Sequence, residues 1–445
     1  MRYLLNIIYL CALAALSPWL VYKALTTGKY RRGLWAKLTG ATTQSPCHLV
    51  TLSPCHPQTV WFHGVSVGEI HLLRQVVARY RQRHPDAQVV ISTTTDTGFE
   101  EARKHFADLP VIYWPFDFSW AVERALRGIA PSLVVLAEGE IWPNFLMAAK
   151  RRGVPVAVMN GRMSPRSLAR YQWLAPLVRP LFQQVDLLAM QTERYAAGVR
   201  QLGGADERVA VTGNVKFDGV NSERTNPRTL ELGRVLDVRA GDLIWIAGST
   251  QAPEEEIALD IYRRVKVEHP DLRLILVPRQ RDRFDEVAKL LERSGLPYLR
   301  RSRLEPRTPA LGLRTSIVLV DTIGELGALW GLAEVAFVGG SMDGRRGGQN
   351  MIEPAAYGAA VLFGPHVWNF RETAEQLVQR RAALQVADAA ELEETLSRLL
   401  GDFTERRRLG EAAQRYVQEQ QGATERTLDL LNNLLDKPAS RRQAA

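Results

Sequence analysis

Glu69 follows the stretch Gly64-Val65-Ser66-Val67-Gly68, and the neighbours of this stretch suit it to act as a general base. Thr59, Val60, Trp61 and Phe62 form a short β-branched and aromatic run, the composition of a buried strand. Gly64 and Gly68 bracket a tight turn, and Leu72, Leu73, Val76 and Val77 then recur at helical spacing. A carboxylate in the first turn of a helix lies beside free backbone N–H groups, which favour its ionised form. A lone glutamate there more often serves only to complement the helix dipole. The same residues satisfy the G-x-S-x-G pattern of a hydrolase nucleophile at Ser66. That chemistry needs an acid and then a histidine downstream, and no later histidine has a convincing setting.

Other polar groups stand at the ends of further strand candidates. Glu138 and Glu140, with Pro143 and Asn144 just behind, follow the apolar run Leu133–Ala137 and could hold a sugar hydroxyl or tune a base. Arg162 and Arg166 follow the run 155–159 and suit phosphate recognition. A charged helix start and a solvated basic face are equally good readings of these two clusters. Later in the chain Ser249 lies in a small polar turn between a strand and a helix bearing Glu254, Glu255 and Glu256, an arrangement that predicts an anion site. Arg279 ends the next strand and reaches the same anion. Gly340, Ser341 and Asn350 belong to a glycine-rich loop full of donors, and Glu353 behind it suits ribose hydroxyls. Together these clusters point to a nucleotide. There is no DxD pair, so a reaction without a metal or other cofactor is expected. Two Cys-His pairs, Cys47-His48 and Cys55-His56, lie in a proline-containing linker with no usual zinc spacing.

The elements that must position these groups alternate strand and helix, which predicts parallel sheets covered on both faces. Strand candidates are 59–62, 88–92, 133–137, 155–159, 186–190 and 208–212 in one half, and 243–247, 272–277, 316–320, 334–338 and 360–363 in the other. The expected organisation is α/β: an N-terminal domain at 58–220, a linker at 221–234, a second domain at 235–390, and C-terminal helices and tail at 391–445. Ahead of them, the apolar stretch Tyr3–Tyr22 is long enough to cross a bilayer as a helix, giving an anchor at 1–23 and a juxtamembrane segment at 24–57. Lys23, Lys29, Arg31, Arg32 and Lys37 behind it place the bulk of the chain in the cytoplasm. A cleaved signal peptide is the rival reading. The 445 residues carry a net charge of +9, which suits a membrane surface or a phosphorylated lipid; no nucleic-acid motif accompanies it. Three cysteines argue against a disulfide framework.

The ordered motifs HGVSVGE, STTTDTG, Glu140-Ile141-Trp142-Pro143-Asn144, VTGNVKFD, AGST, VPR, DTIGEL, FVGGS, EPAA and FGPH resemble those of the Kdo transferases. These enzymes move 3-deoxy-D-manno-octulosonic acid (Kdo) from CMP-Kdo to lipid A precursor. The resemblance runs from the YRRGLW segment to about Arg371. It implies a GT-B fold of two Rossmann-like domains with an N-terminal anchor in the bacterial inner membrane, CMP bound by the second domain, and inversion at the donor's anomeric centre. Carried over by position, Glu69 is the catalytic base, and Lys216, Arg279, Gly340, Ser341, Asn350 and Glu353 belong to the donor side. Gln251, Gln280 and Gln349 depart from the family's histidine, and Glu138-Gly139-Glu140 lacks its threonine. Glutamine keeps a donor but cannot carry a proton charge. A same-fold transferase with another CMP-activated acidic sugar or acceptor lipid is therefore the alternative. A serine hydrolase at Ser66 stands further off.

Overall fold

The structure is a computed structural model, and it describes residues 2–27, 32–41, 58–239, 241–304 and 317–436. The two Cys-His pairs, Lys29 and Arg31 lie outside them. The chain forms two compact units, one of Met1–Asp218 with Gln421–Ala445, the other of Gly219–Gln420.

The first unit is a seven-stranded sheet in the order β3-β2-β1-β4-β5-β6-β7. Its strands are β1 (Thr59–His63), β2 (Gln88–Thr93), β3 (Val111–Tyr113), β4 (Leu133–Ala137), β5 (Val156–Gly161), β6 (Leu187–Met190) and β7 (Val209–Val211). Every pairing is parallel. Side chains alternate across the sheet. Val60, Phe62, Leu133 and Val135 pack on the helices Val67–Arg83 and Ala423–Asp436. Trp61, Val134 and Leu136 pack on the opposite face with Val122, Leu126, Phe145 and Leu146. Apolar residues on both faces of one strand are what a buried parallel sheet requires.

The second unit repeats the plan in the order β10-β11-β9-β8-β12-β13-β14. Its strands are β8 (Leu243–Thr250), β9 (Leu272–Pro278), β10 (Tyr298–Arg300), β11 (Ile317–Leu319), β12 (Val335–Val338), β13 (Ala360–Phe363) and β14 (Ala383–Gln385). All of these pairings are parallel too. In each sheet the strand order reverses beside the first strand, between β1 and β4 and between β8 and β12, and in the second sheet β11 also inserts between β9 and the edge strand β10. Those switch points are where open α/β sheets bind ligands.

Two boundaries differ from the expectation. The supposed linker 221–234 belongs to the second unit: Asn226 caps a helix, Pro227–Val235, and Arg224 donates to the carbonyls of Tyr357 (2.9 Å) and Ala333 (2.8 Å). The segment 391–445 is not one tail. Helices Ala389–Gly401 and Phe403–Gln420 stay with the second unit, and Ala423–Asp436 packs in the first. Asp218 secures that return by accepting the N–H groups of Gly422 (2.6 Å) and Thr424 (2.5 Å).

The expected membrane-spanning helix also needs correction. Residues Arg2–Thr27 are helical, but among the described residues no helix is long and apolar enough to cross a membrane. The polar residues inside the stretch have partners in the first unit. Asn6 is buried; its Oδ1 accepts from the Ser119 N–H (3.0 Å) and Asn144 Nδ2 (3.2 Å), and its Nδ2 donates to Ser119 Oγ (2.7 Å). The Tyr9 hydroxyl donates to Asp117 Oδ2 at 3.0 Å. One face of this helix is thus committed to protein, while Leu4, Ile7, Ile8, Leu10 and Leu16 stay exposed. The juxtamembrane charge is likewise smaller than expected. Lys37 is buried, 3.6 Å from Asp96 Oδ1 and over the Tyr113 ring, so it is not offered to headgroups.

Candidate active site

Glu69 sits at the switch point of the first sheet. Ser66 is the residue before helix Val67–Arg83, and Glu69 lies in its first turn. Glu69 Oε2 accepts the Val65 N–H (2.8 Å) and Oε1 accepts the Ser66 hydroxyl (3.0 Å), a variant of the capping box. Capping alone would leave an ordinary carboxylate. Burial instead pushes its pKa up to about 7; the Val65 N–H and Ser66 pull the other way, and the charges of Glu138 and Glu140 add to the rise. A base that is half-ionised near neutral pH can take a proton from a hydroxyl and give it up again. The hydrolase reading fails on the same geometry. The Ser66 hydroxyl is spent on Glu69, and no hydrogen bond among the described residues joins it to a histidine.

Glu138 and Glu140 leave the end of β4, next to β1. Glu138 holds a left-handed φ of 57° before Gly139, a conformation costly for a residue with a Cβ and concentrated at functional sites. Lys216 Nζ lies 3.5 Å from Glu138 Oε1. Lys216 was expected on the donor side; it belongs to the first unit and is paired there, a contact made by chain folding rather than by neighbouring sequence. Burial raises the Glu140 pKa, with the Trp142 indole opposing it. Asn144 was expected to meet the acceptor. It is buried instead, with its N–H bonded to Asp117 Oδ2 (2.9 Å) and its Nδ2 to the Asp117 carbonyl (2.5 Å), so it fixes the start of helix Pro143–Arg151. Arg162 and Arg166 are exposed, and among the described residues neither makes an ion pair. Near them, Asn160 also has a left-handed φ, 52°, and its buried Nδ2 has no partner among the described residues.

The second sheet's switch point gathers Ser249, Gly340 and Ser341, at the ends of β8 and β12. Ser249 has φ 55°. Gly248 must be glycine, since a Cβ would come within 2.4 Å of Trp330 Cη2. The expected anion site is already filled by the protein. Glu254, the first residue of helix Glu254–Glu268, accepts four N–H groups: Gln251 (2.9 Å), Gly340 (2.7 Å), Ser341 (2.9 Å) and Met342 (3.1 Å). The backbone donors of Gly340 and Ser341 are therefore not free for a phosphate. Ser341 Oγ is occupied as well, donating to the Val338 carbonyl and accepting the Gly364 N–H. The three glutamates at this helix start were the visible signal, and the loop they serve lies far along the chain. Arg279 follows β9, with its N–H on the Thr250 carbonyl (3.0 Å) and its side chain exposed. Asn350 Nδ2 donates to Glu353 Oε1 (2.9 Å); burial raises the Glu353 pKa, opposed by Asn350 and the Arg279 charge. A Cβ on Gly340 would lie 3.2 Å from Nε2 of both Gln251 and Gln349, so two of the three glutamine replacements line one point of the loop. Gln280 is exposed.

Two parallel α/β units, each with polar groups at its switch point, have the architecture of GT-B glycosyltransferases. Solved structures agree in fold. Acinetobacter baumannii MurG superposes with a TM-score of 0.54 at 16% identity, covering 85% of this chain and 100% of that one. Anabaena HepE, solved in complex with UDP and glucose, gives 0.53 at 15% identity, covering 85% and 99%. The family model described as 3-deoxy-D-manno-octulosonic-acid transferase (kdotransferase) matches residues 31–219. The Haemophilus influenzae 3-deoxy-D-manno-octulosonic acid transferase is 34% identical over 86% of this chain and 88% of its own length. The Bordetella pertussis relative of the same name is 32% identical over 96% and 99%. The chain belongs to the Kdo transferase family and is a glycosyltransferase.

Proposed function

We propose that the protein transfers Kdo from CMP-Kdo to a lipid A precursor in lipopolysaccharide synthesis, with inversion at the anomeric carbon and without a metal. The observation that carries this reading is the Glu69 carboxylate, held at the first switch point with its pKa pushed up to about 7. Glu69 takes the proton from an acceptor hydroxyl. The acceptor oxygen then bonds to the anomeric carbon, the bond from that carbon to the phosphate oxygen breaks, and CMP leaves with the electron pair. Arg279 meets the phosphate charge, and Glu353, oriented by Asn350, accepts ribose hydroxyls. Ser249, Gly340 and Ser341 shape this donor loop by its backbone. Lys216 and Glu138 act on the acceptor side by setting the field at Glu69. Arg162 and Arg166 are suited to the acceptor's phosphates. The exposed apolar residues of helix Arg2–Thr27 suit the surface of the inner membrane that holds such an acceptor.

The test is direct. Membranes containing the protein are incubated with CMP-Kdo and lipid A precursor, and the lipid is weighed by mass spectrometry. The reading expects product heavier by whole Kdo units. Unchanged lipid with CMP-Kdo, and product with a different CMP-activated acidic sugar, would replace it with the alternative specificity.

A further inference from the structure

Helix Val67–Arg83, which carries Glu69 in its first turn, has a second cluster two residues beyond the base. Its His71 faces Glu101 and His105 of the neighbouring helix Asp96–His105. Glu101 and His105 are four residues apart and therefore share one helix face. His105 Nε2 lies 2.6 Å from Glu101 Oε1, and His71 Nε2 lies 3.5 Å from the same oxygen. The two imidazole centroids are 5.4 Å apart, and one ligand atom from each residue falls within 4.8 Å of the others.

We infer that His71, Glu101 and His105 form a binding site for a divalent transition metal of the zinc class. Two imidazoles and one carboxylate are a ligand set that zinc accepts, with bonds of about 2.0–2.2 Å. A tetrahedral ion at such distances separates its ligand atoms by about 3.3 Å, a spacing that lies within the present range. Each pair of ligands is joined by packed helices, so the ion needs only side-chain rotation and no backbone change. The fourth position is left to water. The His71 imidazole is held below its usual pKa, first by burial, which favours the neutral form that binds a metal. Lys104 Nζ lies 4.0 Å from Glu101 Oε1 as a competing cation, but its side chain is 71% exposed and can leave. A bound ion joins the Glu69 helix to its neighbour. This role is structural and separate from sugar transfer.

Cobalt reports such a site by its visible absorption, and zinc competes for it. The full chain is used with Cys11→Ser, Cys47→Ser and Cys55→Ser, which removes all three thiols that would bind the same ions. Titration with Co²⁺ should saturate at one ion per chain with an absorption band of nitrogen and oxygen coordination, and Zn²⁺ should displace it. Zn²⁺ should also raise the thermal midpoint. His71→Ala, Glu101→Gln and His105→Ala should each weaken binding by about ten-fold or more, whereas His269→Ala should not. The midpoints of the metal-free variants check that each still folds; the remaining variants decide if one does not. Absence of saturable binding at millimolar metal, or binding that survives all three substitutions, would overturn the inference.

Discussion

The two switch points use one device for opposite ends. In each, a glutamate opens the helix that follows the first strand and turns its carboxylate back onto the preceding loop. Glu254 accepts four backbone N–H groups from its own turn and from the Gly340 loop. Every lone pair it needs for stability is used, and it works as a strut. Among the described residues Glu69 accepts one N–H and one hydroxyl, and it faces two further carboxylates. The difference shows that position at a helix start does not make a base. The number of donors and the charges facing the group decide whether it is locked or free to exchange a proton.

The comparison is broken most sharply by exchanging charge for neutrality at the two glutamates. Glu69→Gln should lower turnover by about 10²-fold or more, since a general base is lost. It should leave CMP binding intact by calorimetry. Its thermal midpoint at pH 8 should not fall, because a carboxylate whose folded pKa is raised contributes less stability once pH passes that pKa. Glu254→Ala should do the reverse. It strands four buried donors, at about 1–3 kcal/mol for each that finds no water, so unfolding should shift by several kcal/mol and CMP affinity should follow the collapse of the loop. An equal loss of turnover with no loss of stability would mean that Glu254 is not a strut. Ser66→Ala is the smallest change. It removes one donor to Glu69, which raises the base's pKa further, and turnover at pH 7 should drop only a few-fold. Abolished activity here would return the nucleophile reading to Ser66.

Local patterns made the sites legible and tertiary contacts hid their wiring. Strand, glycine turn and helix are encoded within a dozen residues, so Glu69, Glu138 and Ser249 could be placed at strand ends from sequence. Strands β3, β10 and β14 escaped notice because each is a three-residue edge strand, too short for any period to show. The pairing of Lys216 with Glu138 was not legible, because the two are distant in the chain. Glu254 was seen only as part of an acidic helix start, since three of the four N–H groups it binds lie in a loop after β12. The N-terminal helix was misjudged for a related reason. Asn6 and Tyr9 lie inside the stretch Tyr3–Tyr22 taken as apolar, and they are the residues bonded to Ser119 and Asp117. Composition measures apolar length; it does not reveal which polar residue in that length already has a partner in the folded domain.

The most direct test of Glu69 as a tuned base is the pH dependence of kcat/KM in the wild type and in two variants of its neighbours. The base must be ionised, so activity should rise with pH through about 7. Glu138→Gln removes a repelling charge and should move that limb to lower pH. Lys216→Ala removes the cation paired with Glu138 and should move it to higher pH. Opposite displacements from the two substitutions are the predicted result. A limb that stays in place in both variants, or a profile with no ionisation near neutral pH, would contradict the account.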